Sequence, residues 1–347
     1  MEMLPPPDLY QSRRRRLCHN NAEGFLLLVR TDAPFYEDLY YLTGLTTYQS
    51  ALLLDLSSGE ETVWVWPFEF DEARQQTDVR NVISSNSVLE DAMRAIARVD
   101  PKKAFLGIRG EGYLGQLVEV FYKTRGKSLF DASILTSPLR QIKDSWEVCR
   151  LEEAQRHAQI VMSGVLDALK PGISERDIAC EIVAGLVGAG ATRPSFPIVA
   201  FGENTVRTHH LASDRKLNRV DLVLIDIFGE AGHNYCAELT ETIVFGRGDP
   251  ETQNKIDVVN ATLGNLVSLA RPGITIAELE EQAGRLLTAA GVREGYLGAC
   301  AHDVGLCEHD PTDKTLPLAP GRVIALEPGI YLSRARVGIR RERVITI

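Results

Sequence analysis

The sequence lacks a long apolar segment, paired cysteines and an excess of positive charge, and each absence argues against one class of protein. No segment reaches the roughly 18 uninterrupted apolar residues that a membrane-spanning helix needs. The six cysteines are scattered without a CxxC pair, and we interpret them as small buried hydrophobes in a reducing compartment. The formal net charge of −9 argues against a nucleic acid or an anionic membrane as the partner, because those surfaces require clustered Lys and Arg.

The amino-terminal residues show neither a secretory signal nor a broad basic surface. MEMLPPPDLY lacks the basic-then-apolar order of a signal peptide, and we therefore expect a cytoplasmic protein. The one basic run, Arg13–Arg16, is interpreted as the solvated face of an opening helix.

The 347 residues are enough for two domains, and the chain changes character near Ser137–Pro138. Residues 1–137 alternate β-rich runs with a helical run, which predicts a small α/β domain. The β-rich runs are FLLLVR, ALLLDL and TVWVWP, and the helical run is VLEDAMRAIARV. Residues 138–347 form the second domain, which is expected to open with one polar helix over Leu139–Leu169.

The second domain contains an internal repeat. Leu169–Ala191 matches Ala270–Val292 at a constant offset of 101 residues, and both copies contain Pro-Gly-Ile followed by a helix-capping pair. Two copies predict a pseudo-twofold α/β unit, in which helices cover one face of a curved sheet and leave the other face for a site. The capping pairs are Ser174 with Asp177 and Thr275 with Glu278.

Acids and a histidine interrupt the apolar, strand-like stretches of this domain. Burying an isolated carboxylate costs several kcal/mol or more, so each acid is exposed, paired with a base or bound to a metal. Taken singly, exposure is the simpler explanation for each acid. Taken together, four carboxylates and one imidazole balance the charge of two divalent cations: Asp226, Glu238, His302, Glu327 and Glu342.

This set of side chains predicts a site for two metal ions. Oxygen ligands with a single imidazole favour Mn²⁺, with Co²⁺, Fe²⁺ or Zn²⁺ as alternatives, because hard oxygen donors do not favour zinc as thiolates do. Two such ions can lower the pKa of a shared water and stabilise a tetrahedral intermediate. The reaction class implied is hydrolysis of an acyl bond.

The motifs around these residues resemble those of the pita-bread metallopeptidases, which include prolidase, aminopeptidase P, methionine aminopeptidase and the non-metal relative creatinase. LVLIDIFG, NYCAELTET, AHDVGLCEHD, ALEPGIY and GIRRERVIT occur in the chain order of that family. The resemblance covers about Leu139–Ile347, and residues 1–137 are more weakly similar to the amino-terminal domain of prolidase and creatinase. It implies an α/β (α+β) fold with a small creatinase-like domain and a pita-bread catalytic domain of pseudo-twofold symmetry.

The resemblance also implies a role for each matching residue. The implied metal ligands are Asp226, Glu238, His302, Glu327 and Glu342, with Glu238 and Glu342 bridging and Glu327 doubling as the proton shuttle. The implied catalytic and substrate-binding residues are His209 and His309, with Tyr331 and Arg340 as further substrate-binding residues. A dipeptide hydrolase must also bind the free carboxylate of its substrate, for which Arg334, Arg336 and Arg340 are candidates, and a surface charge is an equally good interpretation of Arg334 and Arg336. His210 has no counterpart in the family motif and is expected to be structural.

Two positions depart from the family pattern. Glu238 stands where the family has Asp, and its separation from Asp226 is one residue longer than in the family. Glu241 stands where the family commonly has Arg. The longer side chain on the longer hairpin either restores the bridge or displaces it and weakens one metal. The negative charge of Glu241 in place of a positive neighbour of the ligands is a change of the kind that can lower metal affinity or activity by about 10- to 100-fold.

The function implied by the resemblance is metal-dependent hydrolysis of the Xaa-Pro bond in dipeptides, as in prolidase. Aminopeptidase P activity on longer Xaa-Pro peptides is one alternative, and a weakly active paralogue that binds a peptide or a protein is another. The large amino-terminal domain argues against methionine aminopeptidase, and the retained acids argue against creatinase. The implied partners are a small peptide with proline at its second position and a second copy of the chain in a homodimer.

Overall fold

The computed structural model describes residues 5–347 except 20–22, 32, 34 and 110–127. The chain divides into two compact units, Met1–Arg140 and Gln141–Ile347, and both combine helices with sheets. The boundary expected at Ser137–Pro138 falls inside a helix that continues through Pro138. None of the described helices is both long enough and apolar enough to span a membrane.

The first unit is built on a mixed sheet. Its strands are β1 (Phe25–Arg30), β2 (Ser50–Asp55), β3 (Glu61–Val65), β4 (Val82–Ser84), β5 (Lys103–Arg109) and β6 (Ser128–Asp131), in the order β4-β3-β2-β1-β5-β6. Its helices are α1 (Leu9–His19), α2 (Glu37–Thr43), α3 (Phe70–Gln76), α4 (Val88–Val99) and α5 (Ser133–Gln141). The three predicted β-rich runs are β1, β2 and β3, and the predicted helix is α4. The apolar face of α4 packs on the sheet through Val88, Ala92 and Ile96, which follow helical spacing.

The basic run of α1 is not a solvated face, so that prediction is wrong. Arg13 and Arg14 are buried, whereas the other two arginines of the run are exposed. Arg14 makes ion pairs with Glu61 at 2.5 Å and Asp78 at 2.8 Å, and the guanidinium of Arg13 lies 4.1 Å above the ring centroid of Tyr41. These partners replace the water that each cation loses on burial. They lie far from the run in sequence, so the run alone could not reveal them.

The second unit carries the residues predicted to form the site. Its helices are α6 (Ser145–Ala168), α7 (Glu175–Gly188), α8 (Pro250–Leu269) and α9 (Ile276–Ala289). Its strands are β7 (Ile198–Phe201), β8 (Asp221–Gly232), β9 (Tyr235–Phe245), β10 (Ala301–Asp303), β11 (Val323–Leu326), β12 (Gly329–Leu332), β13 (Val337–Arg340) and β14 (Arg343–Thr346). Strands β7, β8 and β9 form one sheet, β10, β11 and β14 form another, and β12 pairs with β13.

The stretch predicted as one helix over Leu139–Leu169 is in fact two helices. Helix α5 ends at Gln141 and α6 begins at Ser145. The side chain of Asp144 accepts a hydrogen bond from the backbone N–H of Glu147, whose own side chain accepts one from the N–H of Asp144. This reciprocal cap starts a new helix. The sequence signal for the break was therefore Asp-Ser-Trp-Glu.

The predicted internal repeat is confirmed down to individual hydrogen bonds. Helices α7 and α9 have equal lengths and begin 101 residues apart, and each opens with the capping box predicted for it. The loop before each helix makes the same backbone hydrogen bond in both copies. These bonds run from the N–H of Gly172 to the carbonyl of Leu217, and from the N–H of Gly273 to the carbonyl of Leu318, each at 2.9 Å.

Strand alternation separates the core of the second unit from its site. Val223, Ile225 and Ile227 of β8 point into the apolar cluster formed with α6 and α7. Successive residues of a strand point to opposite faces, so Asp226 projects from the face away from these helices. The sheet therefore offers one face to the core and the other to the acids.

Candidate metal and catalytic site

The hairpin of β8 and β9 places Asp226 and Glu238 on the same face of the sheet. Asp226 lies opposite Thr240, and Phe228 lies opposite Glu238. Directly opposed residues and their second neighbours share a face, so both carboxylates project to the same side. The hairpin closes through a tight turn at His233 and Asn234, which have φ values of 52° and 68°.

A bulge in β8 accounts for the longer separation between these two acids. The register shifts by one residue between Glu230 and Gly232, which leaves Ala231 as the extra residue of its strand. Without this bulge the same turn would place Glu238 opposite Gly229 and therefore on the other face. The bulge thus absorbs the added residue and keeps Glu238 beside Asp226.

Backbone hydrogen bonds bring the remaining acids to this face. The N–H of Glu342 donates to the carbonyl of Thr240 at 3.2 Å, and the N–H of Glu327 donates to the carbonyl of Cys300 at 2.8 Å. Cys300 lies directly before β10, the strand that carries His302. The loops at the ends of β11 and β13 therefore meet β9 and β10 at one place.

Five predicted ligands converge at this place. One ligand atom each of Glu238, His302 and Glu342 lies within 4.8 Å of the other two. Nε2 of His302 lies 3.5 Å from Oε1 of Glu327. Nδ1 of His302 lies 3.1 Å from the carbonyl oxygen of Asp303, which can only accept, so Nδ1 carries a proton and Nε2, which faces Glu327, is the nitrogen that would bind a metal.

Thr240 connects the ligand set to Asp226. Its hydroxyl lies 2.9 Å from Oδ1 of Asp226 and 2.8 Å from Oε2 of Glu342. A hydroxyl has a single proton and can donate to only one of these oxygens at a time. Sequence reasoning overlooked Thr240, although it lies two residues after Glu238 and so on the same face of β9.

The carboxylates crowd one another enough to shift their titration. Burial raises the pKa of Glu238 well above its ordinary value, and the nearby charge of Glu342 raises it further. Burial likewise raises the pKa of Glu342 and of Asp226, although Arg340 opposes the shift in both. Burial also favours a higher pKa at Glu327, but the hydrogen bond with His302 and the charges of Arg340, His302 and His309 together outweigh burial, and the pKa of Glu327 is lowered. Bound cations would relieve this crowding by stabilising the ionised forms.

The donor set fits divalent metal ions. Oε1 of Glu238 and Oε1 of Glu342 are buried and have no hydrogen-bond partner in the described part of the chain. A buried carboxylate oxygen without a partner is costly, and a metal ion supplies that partner. Carboxylate oxygens with one imidazole are the donors that hard or intermediate divalent ions accept.

The guanidinium group of Arg340 is already engaged by side chains of the site and is not free to bind a substrate carboxylate. Its Nη2 forms an ion pair with Asp226, Nη1 donates to the hydroxyl of Tyr331 at 3.0 Å, and Nε donates to Thr240 at 3.3 Å. Arg334 and Arg336, the other residues considered for a substrate carboxylate, are exposed in the β12–β13 turn. The structure therefore gives Arg340 the role of holding Asp226 and Tyr331 in position.

The two predicted catalytic histidines differ in how closely they approach the ligands. The ring of His309 stacks on the ring of His302 with centroids 4.1 Å apart. Burial lowers the pKa of His309, and the neighbouring His302 lowers it further. His209 is exposed, and its electrostatic interaction with His309 is a further, smaller cause of the lowered pKa of His309.

Comparison with known proteins identifies the second unit. The model of metallopeptidase family M24 matches residues 149–347, which is more than half of the chain. The chain belongs to metallopeptidase family M24. The predicted resemblance to the pita-bread metallopeptidases and the predicted class of enzyme are confirmed by this match, and divalent metal ions are implied for its site.

The M24 relatives include proteins named for dipeptide hydrolysis. The Xaa-Pro dipeptidase of Pyrococcus horikoshii is 27% identical over 316 residues, covering 89% of this chain and 87% of that protein. A probable dipeptidase, PepE, of Mycobacterium tuberculosis is 30% identical over 213 residues, 60% of this chain, and the match spans only 56% of that relative's length. The solved prolidase of P. horikoshii OT3 has a TM-score of 0.82 at 26% identity, covering 97% of this chain and 95% of that one. The predicted fold class is thereby confirmed.

Glu241, the second departure from the M24 pattern, does not face the metal ligands. It lies opposite Ile225, on the face of the hairpin away from Asp226. Its carboxylate forms an ion pair with Arg341. The expectation that Glu241 disturbs the surroundings of the ligands is therefore wrong, because the two-residue period of β9 turns it away from them.

Glu308 is an acid near the M24 ligands that sequence reasoning missed. It is half-buried, and Ser195 donates a hydrogen bond to its Oε2 at 3.3 Å. Burial raises the pKa of Glu308, the hydrogen bond from Ser195 opposes this, and the charge of Asp226 raises the pKa further. The sequence signal that could have identified Glu308 is its position directly before His309, a predicted catalytic residue.

The expectation that His210 is structural agrees with its contacts. Its Nε2 lies 2.8 Å from the carboxylate of Glu175, the first residue of α7. Glu175 is fully buried and accepts further hydrogen bonds from Phe201, Asn204 and Ser213. This carboxylate therefore anchors the segment that carries His209 to the start of α7.

Replacing Glu175 by Gln is expected to lower the free energy of unfolding at neutral pH by about 1.5–3 kcal/mol, the range for a hydrogen bond to a charged group. Burial raises the pKa of Glu175, but its hydrogen bonds outweigh burial and the pKa lies below the ordinary 4.5. The stability it contributes is therefore complete above pH 4.5 and is lost as pH falls towards the folded-state pKa. Urea denaturation between pH 3 and 7 checks this, and an unchanged acid-side slope in the variant would contradict it.

Proposed function

We propose that the chain hydrolyses the Xaa-Pro bond of dipeptides with the help of two divalent metal ions. The observation that carries this proposal is the buried convergence of carboxylates around one imidazole, with two carboxylate oxygens that lack a partner in the described residues. The proposed ligands are Asp226, Glu238, His302, Glu327 and Glu342. The location in the cytoplasm and the homodimer stay predictions.

The chemistry of the donors supports Mn²⁺ as the first choice, with Co²⁺, Fe²⁺ and Zn²⁺ as alternatives. Divalent ions in such a site lower the pKa of bound water and polarise a carbonyl oxygen. Four carboxylates balance the charge of two ions. Glu238 and Glu342, whose carboxylates lie close to each other and to His302, are the proposed bridging residues.

Glu327 is the proposed proton shuttle. Its carboxylate has a lowered pKa and is therefore ionised near neutral pH, as a proton acceptor must be. Its contact with His302 holds it beside the ligand set. Glu327 would accept a proton from the attacking water and then donate that proton to the leaving nitrogen of proline.

His309 and His209 are the proposed donors to the substrate. The lowered pKa of His309 favours a neutral ring, which can donate one hydrogen bond to the developing oxyanion. His209 is exposed and would contact the peptide itself. Arg340 acts as a positioning residue, because it holds both Asp226 and Tyr331, and Tyr331 stays a proposed substrate-binding residue.

The preference for proline comes from the relatives and is tested by substrate comparison. The protein is freed of metal with a chelator, reloaded with each divalent ion, and assayed with Ala-Pro, Ala-Ala and Ala-Pro-Ala. We expect Mn²⁺ to restore hydrolysis, Ala-Pro to be cleaved in preference to Ala-Ala, and the tripeptide to be cleaved more slowly. Faster cleavage of the tripeptide would instead indicate aminopeptidase P activity.

Metal binding is also expected to stabilise the fold. Saturation at 100 times the dissociation constant adds about 2.7 kcal/mol to the free energy of unfolding. Thermal melting with and without Mn²⁺, together with elemental analysis, should show a higher Tm and two bound ions per chain. A protein that binds peptides but takes up no metal and hydrolyses nothing would be the non-catalytic paralogue instead.

A further inference from the structure

Glu308 is a carboxylate beside the proposed active site that the mechanism does not use. It directly precedes His309, whose ring stacks on the proposed ligand His302. The hydroxyl of Ser195 donates to it at 3.3 Å. No lysine, arginine or histidine in the described ranges forms an ion pair with Glu308, so its direct partner is the neutral hydroxyl of Ser195, and the charge of His302 acts on it only from beyond ion-pair distance.

The position of Ser195 is fixed by its neighbours. Pro194 forms a β-bridge with Gly229 of β8. A Cβ atom at Gly229 would lie 2.3 Å from the hydroxyl of Ser195, so only glycine permits this approach. The loop that leads to Ser195 is held by Glu230, whose carboxylate accepts hydrogen bonds from the backbone N–H groups of Thr192 and Arg193 at 2.6 and 2.7 Å. The loop therefore presents Ser195 to Glu308 in a defined place.

The charge of Glu308 would disfavour one end of a bound dipeptide at this position. Like charges repel, so the carboxylate of a carboxyl-terminal proline is excluded from this side and the amino-terminal residue lies there. Glu308 does not belong to the group of Glu238, His302 and Glu342, whose ligand atoms lie within 4.8 Å of one another. Its carboxylate therefore lies outside the ligand cluster, and a dipeptide bound at that cluster would meet Glu308 with the side chain of its first residue rather than with the scissile backbone.

We infer that Glu308, oriented by Ser195, selects peptides whose first residue has a basic side chain, lysine or arginine. The inference rests on the proposed Xaa-Pro hydrolysis and narrows its substrate class. An ammonium or guanidinium group would provide the charged partner that Glu308 lacks, through a charge-assisted hydrogen bond. The acidic surroundings, which also raise the pKa of Glu308, attract a cation to the same place.

The test compares lysyl-proline with norleucyl-proline, which lacks only the side-chain ammonium group. We expect the metal-loaded protein to favour lysyl-proline in kcat/KM by about 10- to 100-fold, between the effects of exposed and buried ion pairs. Glu308→Gln is expected to bring this ratio close to one, and Ser195→Ala to lower it less. Glu281→Gln, an exposed acid of α9, is the matched control and should keep the wild-type ratio.

A reversed charge gives an independent variant. Glu308→Lys is expected to favour glutamyl-proline over lysyl-proline. The inference is overturned if Glu308→Gln keeps the wild-type ratio with an unchanged circular dichroism spectrum. Equal losses on lysyl-proline and norleucyl-proline would overturn it as well, because Glu308 would then bind the α-ammonium group that both peptides share.

A binding measurement separates this inference from the proposed function. Reduced-amide analogues of lysyl-proline and norleucyl-proline cannot be hydrolysed, and calorimetry measures their affinities directly. If no dipeptide is cleaved, the proposed function fails, yet a preference for the lysyl analogue that disappears in Glu308→Gln still supports the selectivity. Equal affinities of the wild-type protein for both analogues would contradict the selectivity even if Xaa-Pro dipeptides are cleaved.

Discussion

Replacing Glu327 by Gln is expected to lower kcat on Ala-Pro by about 10²- to 10⁴-fold, the range for loss of a positioned acid or base. Gln keeps the size of the side chain but cannot accept a proton and return it. The side chain lies at the edge of the ligand set, 3.5 Å from His302 and partly exposed, so the fold should tolerate the change. Steady-state kinetics and thermal melting on one preparation check both expectations.

The comparison requires equal metal loading, because Glu327 is also a proposed ligand. Elemental analysis of each preparation provides that correction. Glu294→Gln, an exposed acid of the same unit, is the matched control and should leave kcat unchanged. If the Glu327 variant retained wild-type kcat at equal metal content, Glu327 would have no part in proton transfer.

Replacing Arg322 by Met is expected to lower the free energy of unfolding of the second unit by about 3–5 kcal/mol, the cost of breaking a buried ion pair from one side. Nε and Nη2 of Arg322 donate to the two carboxylate oxygens of Asp303 at 2.7 and 2.8 Å. The side chains are 1% and 0% exposed. Met preserves much of the length of Arg but leaves the Asp303 carboxylate buried without its cation. Chemical denaturation of the metal-free protein measures the loss.

An exposed ion pair of the same unit is the control for this prediction. Arg285 and Glu281 pair on the surface of α9 with side chains 64% and 66% exposed. Arg285→Met should change the free energy of unfolding by less than about 1 kcal/mol. The double variant Asp303→Leu/Arg322→Met should be more stable than Arg322→Met alone, because neither charge is then left buried. Equal losses in Arg322→Met and Arg285→Met would contradict the account.

The convergence of the proposed ligands could be predicted because these residues have an ordered sequence pattern. Asp226, Glu238, His302, Glu327 and Glu342 interrupt apolar strands, and an acid in such a place needs a partner. The internal repeat could also be predicted from the sequence, since the capping pairs that begin at Ser174 and Thr275 mark the starts of two equivalent helices. Local rules of this kind depend on neighbours in sequence and can be applied without a structure.

Features that depend on distant partners could not be predicted. Glu241 differs in charge from the family pattern, but only the register of β8 and β9 shows that it faces away from Asp226. The bulge at Ala231 determines that register, and the sequence alone indicated only a longer hairpin. Glu308 was overlooked because its significance comes from Ser195, which precedes it by more than a hundred residues.

The proposed function depends on metal ions binding between the acids of the hairpin and those of the carboxyl-terminal strands. Crystals soaked in Mn²⁺ and measured at the manganese absorption edge test this most directly. We expect two anomalous peaks per chain, both in contact with Glu238 and Glu342 and one of them in contact with His302. Density that showed no anomalous peak at these carboxylates, or peaks at other sites only, would contradict it.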